Sequence, residues 1–431
     1  MNTTTIISTW ETIIQQFFPI FTAPTANIFI SLVTGWVLCT AKRTITGILP
    51  FADPQGSRAH DAYHRFLPDA SWVMSELWRL LTVLLVRTFY LEGTIHTDLD
   101  DTLFHHSGRK VNGAGWWRDA VRSTGTKIVH AWGLNLVVLT LRIYPPWGGE
   151  PLGLPINMRL HRKSGPTLID LAEQMLQEIA EWLPERRFIN HCDGFYASLA
   201  GRVIPRTHII SRMRRDAMIY DLIPQRKKPH RGRPRKRGQR LPAPKQMAKR
   251  IRNWKEVETV ERGKVRKRLV YVRKVIWYNV SEKPVLLVIS RDPTGKEKDD
   301  FFFTTDLELS AAEVIGGFAG RWSIEDTFKN TKQFIGAQEP QSRKGKGPER
   351  AAALSLWLYS VIWLWYLQQR RSQKLMVRLP WYSAKTHPSF RDALSVLRRA
   401  LWKERIKCMF EKSIVHNKIF EFLIEALASA A

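Results

Sequence analysis

Over the first 92 residues the apolar positions recur at helical spacing, as in "SWVMSELWRLLTVLLVRTFYL", with no sustained alternation. This pattern predicts a helical N-terminal region over 1–92. From Thr94 the texture changes. "TIHTDLDD", "KIVHAWGLNLVVLTLRI" and "GLPINMRLHRK" are rich in β-branched and aromatic residues and are separated by turn material such as Pro145-Pro146 and Gly148-Gly149, so three consecutive strands are predicted. A helix follows, opened by Thr167 and Asp170 in a capping-box arrangement and carried through "LIDLAEQMLQEIAEWL" to Pro184. The short run "RFINHCD" then reads as a buried fourth strand. Three strands, a helix and a strand, with carboxylates at the ends of the first and fourth strands, is the layout of a ribonuclease-H-like α/β core, a mixed sheet flanked by helices.

This core is predicted to come in two parts, 93–222 and 299–373, separated by a basic, β-rich insertion over 223–298. The insertion holds the strand-like runs "KRLVYVRKVIWYNV" and "KPVLLVIS". A further run, "FFFTTD", is placed to rejoin the main sheet. Ser310 and Glu313 form a second capping box, opening a helix through "AAEVIGGFAGRWSIEDTFKNTKQFI", which Gly316-Gly317 should weaken or kink. A helical region, 374–431, closes the chain.

Composition adds a partner. The chain has 67 Lys and Arg against 39 Asp and Glu, a net charge of +28, and an excess of that size suits a polyanion, with nucleic acid foremost. The run "AAALSLWLYSVIWLWYL" is about as short as a membrane span can be. Its serines and its place behind a sheet point instead to burial, and no membrane partner is expected. The N-terminus lacks a basic, cleavable signal pattern. The three cysteines, Cys39, Cys192 and Cys408, lie too far apart in sequence for a disulfide framework or a zinc spacing. A cytoplasmic, nucleoid-associated location is expected.

The candidate chemistry sits on the helix after Ser310. Phe318, Arg321, Glu325 and Lys332 are spaced by three, four and seven residues, which keeps them on one helical face. Taken alone, such a stripe is also what a solvated helix with i,i+4 ion pairs looks like. Its company sets it apart, because Asp100 and Asp101 end the first strand and Asp193 ends the fourth. Aspartates at strand ends are common turn formers too. Together with Glu325, however, they make a set of hard oxygen ligands of the kind that two Mg²⁺ ions need in phosphodiester chemistry. His96, His105, His106, His130 and His191 fall near these positions in no zinc pattern. Trp116-Trp117 read either as core or as a platform for a splayed base.

These residues resemble a known family. "FAGRWSIEDTFKNTK" is similar to the Y-x2-R-x3-E-x6-K signature of DDE transposases from bacterial insertion sequences, with Phe318 in place of the tyrosine. "DDTLFHHSGRK" and "HCDGFYAS" resemble the segments around the family's two aspartates. The resemblance covers most of residues 43–403. It implies that Asp101, Asp193 and Glu325 are catalytic and bind two Mg²⁺ ions, with Mn²⁺ as a substitute. They would nick transposon ends and then activate the 3'-OH for attack on target DNA. Arg321, Lys332 and Phe318 would lie at backbone phosphates. Double-stranded DNA, as terminal inverted repeats and target, is then the partner, bound by a homodimer on paired ends. Alternation along a strand sends Asp100 and Asp101 to opposite faces, so only one can reach the metals. The threonine that follows, Thr102, favours Asp101 by the family pattern.

The stretch "HRGRPRKRGQR" lies in a segment with thirteen Lys and Arg between Arg226 and Arg252 and no acidic residue. Its Gly-Arg-Pro core is like that of an AT-hook, which inserts arginines into a narrow minor groove. Arg231, Arg233, Arg235, Lys236, Arg237 and Arg240 are therefore candidate DNA contacts. Two other functions remain compatible with the sequence: a DNA-binding architectural protein or repressor without catalysis, and a structure-selective nuclease of the same fold.

Overall fold

A computed structural model describes residues 10–223, 236–369, 375–376, 380–381, 384–409 and 418–429. Four helices come first: α1 (Ala23–Leu38), α2 (Ile45–Ala52), α3 (His60–Phe66) and α4 (Met74–Phe89). The strands β1 (Ile95–His105), β2 (Gly115–Arg118), β3 (His130–Ile143) and β4 (Leu152–His161) follow, then α5 (Leu168–Trp182), β5 (Phe188–Cys192) and β6 (Thr207–Arg212). After α6 (Pro244–Arg250) come β7 (Lys255–Glu261), β8 (Lys264–Val275), β9 (Val285–Arg291) and β10 (Asp300–Thr304). The chain ends with α7 (Ala311–Gly320), α8 (Ser323–Asn330), α9 (Gly347–Gln368), α10 (Phe390–Met409) and α11 (Lys418–Ser429).

All ten strands join one sheet, in the order β2-β3-β1-β5-β6-β10-β9-β8-β7, with β4 also paired to β3. β1 is antiparallel to β3 and parallel to β5, β5 is parallel to β6, and β4 is antiparallel to β3. An antiparallel meander whose first strand continues into parallel neighbours through a crossover helix is the ribonuclease-H-like arrangement, so the mixed α/β sheet flanked by helices is as expected. The expected single strand rejoining the sheet understates the result. β10 pairs antiparallel with β6, and β9, β8 and β7 extend the sheet from there.

Local chemistry sets the helix starts. Thr167 Oγ1 accepts from Asp170 N and Asp170 Oδ2 accepts from Thr167 N, and Ser310 and Glu313 repeat the reciprocal pair at α7. Each such cap contributes about 1 kcal/mol. The helix predicted from Ser310, with its weak point at Gly316-Gly317, is interrupted instead at Arg321-Trp322, between α7 and α8, and its last turn, Thr331–Ile335, widens to a π-helix. The double glycine does not break it. A Cβ on Gly317 would stand 2.9 Å from His191 Nε2 and one on Gly320 2.6 Å from the Arg142 guanidinium, so these glycines let α7 lie close against buried polar side chains.

The N-terminal helices are continuous with the main core rather than set apart from it. Trp36 Nε1 donates to the Ile335 carbonyl at 2.8 Å, and Arg350 on α9 donates to the carbonyls of Leu67, Ala70 and Trp72. α9 is long and apolar enough to cross a membrane, and 89% of its apolar window is buried inside the protein. Its Ser360 hydroxyl donates to Pro155 O on β4 at 2.8 Å.

Candidate active site

β1 lies between β3 and β5 in the sheet, and its two faces carry different chemistry. On one face Asp98, Asp100 and Thr102 point toward α7 and α8. Asp98 accepts from Ser323 Oγ at 3.1 Å, Asp100 from Arg321 Nη1 at 2.5 Å, and Thr102 Oγ1 from Lys332 Nζ at 2.8 Å. On the other face Asp101 accepts a hydrogen bond from the Tyr196 hydroxyl at 3.0 Å. Burial and the Asp101 charge push that phenol up, so it stays a donor.

Arg321 stands at the joint between α7 and α8, and its guanidinium binds two carboxylates at once, Asp100 and, at 3.2 Å, Glu325 Oε1. Asp193 closes the group from the next strand. Leu99 is in register with Cys192, which brings Asp193, just past the end of β5, level with Asp100; β1 does not end at its aspartates as expected but runs on to His105, so Asp100 lies mid-strand. Asp193 also caps the 3-10 segment Gly194–Gly201 by accepting from Phe195 N at 2.9 Å.

The electrostatics follow from this crowding. Burial, together with the charges of Asp193 and Asp101, pushes the Asp100 carboxyl up to about 7 in spite of Arg321. Burial likewise raises Glu325, while Arg321 and Arg262 pull it down. Asp101 is raised by burial and by Asp193, against the Tyr196 hydrogen bond.

The structure separates the two candidates for the first aspartate. Asp100 shares a face and an arginine with Glu325, whereas Asp101 points away toward Tyr196, because successive side chains on a strand alternate. The threonine that follows Asp101 was a cue from family pattern and carries no information about face.

The other expected contacts divide. Phe318 is buried with its ring 5.0 Å from Phe302, so it presents nothing to a phosphate. Arg321 is buried between carboxylates. Lys332 is directed at Thr102, and burial lowers its ammonium to about 8. Arg231, Arg233 and Arg235 lie outside the described residues. Lys236 pairs with Glu282 at 2.7 Å, and the Arg237 guanidinium sits over Tyr220 and Tyr278 at 4.2 and 4.7 Å. Arg240 forms an isolated bridge with Tyr220. The far end of the basic stretch is thus fastened to the sheet extension. Trp116 is half exposed and packs edge-on against Trp132.

Sequence reasoning missed a cluster directly beneath the site. Asp98 is fully buried and accepts from Arg142 Nε at 3.2 Å, from Arg142 Nη2 and from Ser323 Oγ, with His191 Nδ1 at 3.4 Å. His191 Nδ1 also donates to Thr97 O at 2.9 Å. Burial alone would raise Asp98, but Arg142 and His191 hold it down to about 2. The signal was an arginine inside the apolar run "GLNLVVLTLRI", since a buried guanidinium must find a carboxylate.

Asp100, Asp193 and Glu325 offer only carboxylate oxygens, which suits a hard divalent cation. Among the described residues no three His, Cys, Asp or Glu side chains converge tightly enough to hold a metal as they stand, and the positive charge between Asp100 and Glu325 is the Arg321 guanidinium. Their donor chemistry fits the group. Metal binding would require Arg321 to yield.

A family model described as "DDE superfamily endonuclease" matches residues 16–283. The matched region includes Asp100, Asp101 and Asp193 and ends before Arg321 and Glu325. A cryo-EM structure of the piggyBac transposase synaptic complex with hairpin DNA aligns with a TM-score of 0.39 at 11% identity, covering 93% of this chain and 76% of that one. A likeness that slight bears no weight on function. No curated protein matches the chain.

Proposed function

The chain belongs to the DDE superfamily endonucleases, and from that premise we propose that it is a DNA transposase that nicks transposon ends and joins the 3'-OH to target DNA. One observation supports the proposal: the middle of β1, the end of β5 and α8, from distant parts of the sequence, bring Asp100, Asp193 and Glu325 around Arg321, which bridges the first and last. Asp100, Asp193 and Glu325 would hold the divalent metals, Mg²⁺ by the hardness of the donors. When bound, such ions supply Lewis-acid charge at the scissile phosphodiester and favour ionisation of the attacking hydroxyl.

The chain's own groups do the rest. Asp98, locked to Arg142, fastens Ser323 and so sets where Glu325 stands two residues later on α8. Arg321, released from its two carboxylates, offers a planar fork to a backbone phosphate near the cut. Lys332 supports the C-terminal half of β1 through Thr102. The basic stretch from Arg231 to Arg240 would contact the DNA, whose paired ends two copies of the chain would hold in the cytoplasm.

The test is Mg²⁺- or Mn²⁺-dependent nicking and strand transfer on DNA carrying the gene's flanking repeats, by the wild type and by Asp100→Asn, Asp101→Asn and Glu325→Gln. Loss with Asp100→Asn and Glu325→Gln but not with Asp101→Asn is the expected pattern. DNA binding by the wild type without any metal-dependent nicking would leave an architectural protein and overturn the reading. Cleavage of junctions without joining would make it a nuclease.

A further inference from the structure

The β7–β8 hairpin ends in a two-residue turn, Arg262-Gly263, between the paired residues Glu261 and Lys264. Both turn residues have positive φ, 51° at Arg262 and 72° at Gly263, as a type I′ hairpin requires. Glycine adopts that backbone freely. Arginine rarely does, and asparagine would fit better.

The turn also has a docking place. A Cβ on Gly263 would stand 2.7 Å from the backbone carbonyl carbon of Gly149, so the hairpin tip rests on the loop between β3 and β4. From there Arg262 Nε reaches Glu150 Oε1 at 3.1 Å, and its guanidinium lies 5.0 Å from the centre of the Trp322 ring. Trp322 is the joint residue of α7 and α8, and its carbonyl accepts from Glu325 N at 3.1 Å. Arg262 thus lies over the residue one helical turn before Glu325, close enough for its charge to lower that carboxyl.

Beneath the hairpin lies a cleft of about 190 Å³, lined by Arg212, Arg262, Arg266 and Arg268 with Phe318 and Trp322. Each arginine is aimed by a carboxylate. Arg268 is buried between Glu261 and Glu297, Arg266 pairs with Glu297 at 2.9 Å, and Arg212 pairs with Asp300 at 3.2 Å. Four arginines converge here, held by Glu261, Glu297 and Asp300 in the lining and by Glu150 at the rim, and Arg212, Arg262 and Arg266 keep about half of their side chains in solvent, open to an anion.

Arg262 gains little for the fold, because its pairing with Glu150 is exposed and such pairs contribute little. An unfavourable backbone held for a side chain with small structural return points to function. We propose that this cleft seats a backbone phosphate of the DNA strand that runs on to Asp100 and Glu325, with Arg262 as the positioning residue that links the sheet extension to the catalytic face. The proposal rests on the reading of the chain as a DNA-cleaving enzyme and adds a contact separate from the basic segment 226–252.

The test compares the full-length wild type with Arg262→Asn and Arg262→Lys in binding a labelled duplex in EDTA across a salt series. Asparagine suits the turn, so the hairpin should keep its place, which an unchanged melting temperature checks. Arg262→Asn is expected to weaken binding roughly three- to tenfold and to reduce the slope of log affinity against log salt by about one contact, while Arg262→Lys keeps the slope. Unchanged affinity and slope in Arg262→Asn would overturn the cleft. The catalytic reading fails separately: if Asp100→Asn still nicked DNA while Arg262→Asn bound weakly, the cleft would stand as a DNA contact without that active site.

Discussion

Asp98 and Asp100 stand two residues apart on the same face of β1, each against an arginine, and they behave in opposite ways. Asp98 meets Arg142 from the neighbouring strand, with Ser323 and His191 completing its shell, and its carboxyl is held down to about 2. Asp100 meets Arg321, whose guanidinium it shares with Glu325, and it feels the charges of Asp193 and Asp101 with no second cation paired to it among the described residues; its carboxyl rises to about 7. The same residue type is thus a finished ion pair in one place and an undercompensated negative site in the other. Geometry around the carboxylate, and not burial alone, separates the two. A site short of positive charge is one built to receive it.

The largest effects should come from removing either carboxylate, through different readouts. Asp100→Asn is expected to reduce metal-dependent nicking at least about a thousandfold, since ligand loss forfeits several kcal/mol of charge stabilisation. Asp101→Asn, which removes a charge near Asp100 and leaves an oxygen that can still accept from Tyr196, should stay within about tenfold. Single-turnover cleavage of an end-bearing duplex measures both, and equal loss in the two variants would erase the distinction between the faces.

Asp98→Ala should cost about 3–5 kcal/mol of folding stability, because it leaves Arg142 buried and unpaired. Equilibrium urea denaturation checks this. A cost below 1 kcal/mol would mean that Arg142 finds water or another partner and that Asp98 is not what anchors α8.

The pH dependence of the pair should run in opposite directions. Asp98 has a folded value below its unfolded one of about 3.9, so its contribution is present above pH 4 and is lost as pH falls toward 2. Asp100 has a folded value near 7, above its unfolded one, so the native state binds more protons between pH 4 and 7 and loses stability as pH rises through that window. Replacing Asp100 by asparagine should then stabilise the protein by about 1–3 kcal/mol at pH 8 in EDTA and by much less at pH 4. Denaturation curves of the two proteins at both pH values decide it. A gain that is the same at both would remove the electrostatic explanation.

How much of this was legible in the sequence depends on the range of the interaction. β1, β3, β4, α5 and the capping boxes were readable because periodicity and caps are local. β6 and β7 were not, since "THIISR" and "KEVETVE" carry too little alternation and become strands only by pairing with β5 and β8. The acidic candidates stand out in the sequence by type and position. Which of Asp100 and Asp101 faces Glu325 depended on strand phase relative to a helix more than two hundred residues away, and short runs do not fix that phase. The break at Arg321-Trp322 was hidden for a similar reason, because the glycines that looked weak, Gly316 and Gly317, are instead close-packing positions against the Val260 carbonyl and His191.

The smallest effect tests how far the aromatic of the stripe belongs to either aspartate's region. Phe318 sits between them in function, part of the packing of α7 on β10 and also under two cations, with Arg212 and Arg321 centred 5.2 and 5.5 Å from its ring. Phe318→Tyr adds the hydroxyl that the family signature carries. The ring is buried, so the hydroxyl must find a partner among polar neighbours or incur a cost, and the change in stability is expected within about 1 kcal/mol either way. If the hydroxyl instead reaches the phosphate path, DNA affinity in EDTA should rise without a change in urea midpoint. A rise would assign the aromatic to the open site around Asp100. A lowered midpoint with unchanged affinity would assign it to the sealed packing that also holds Asp98.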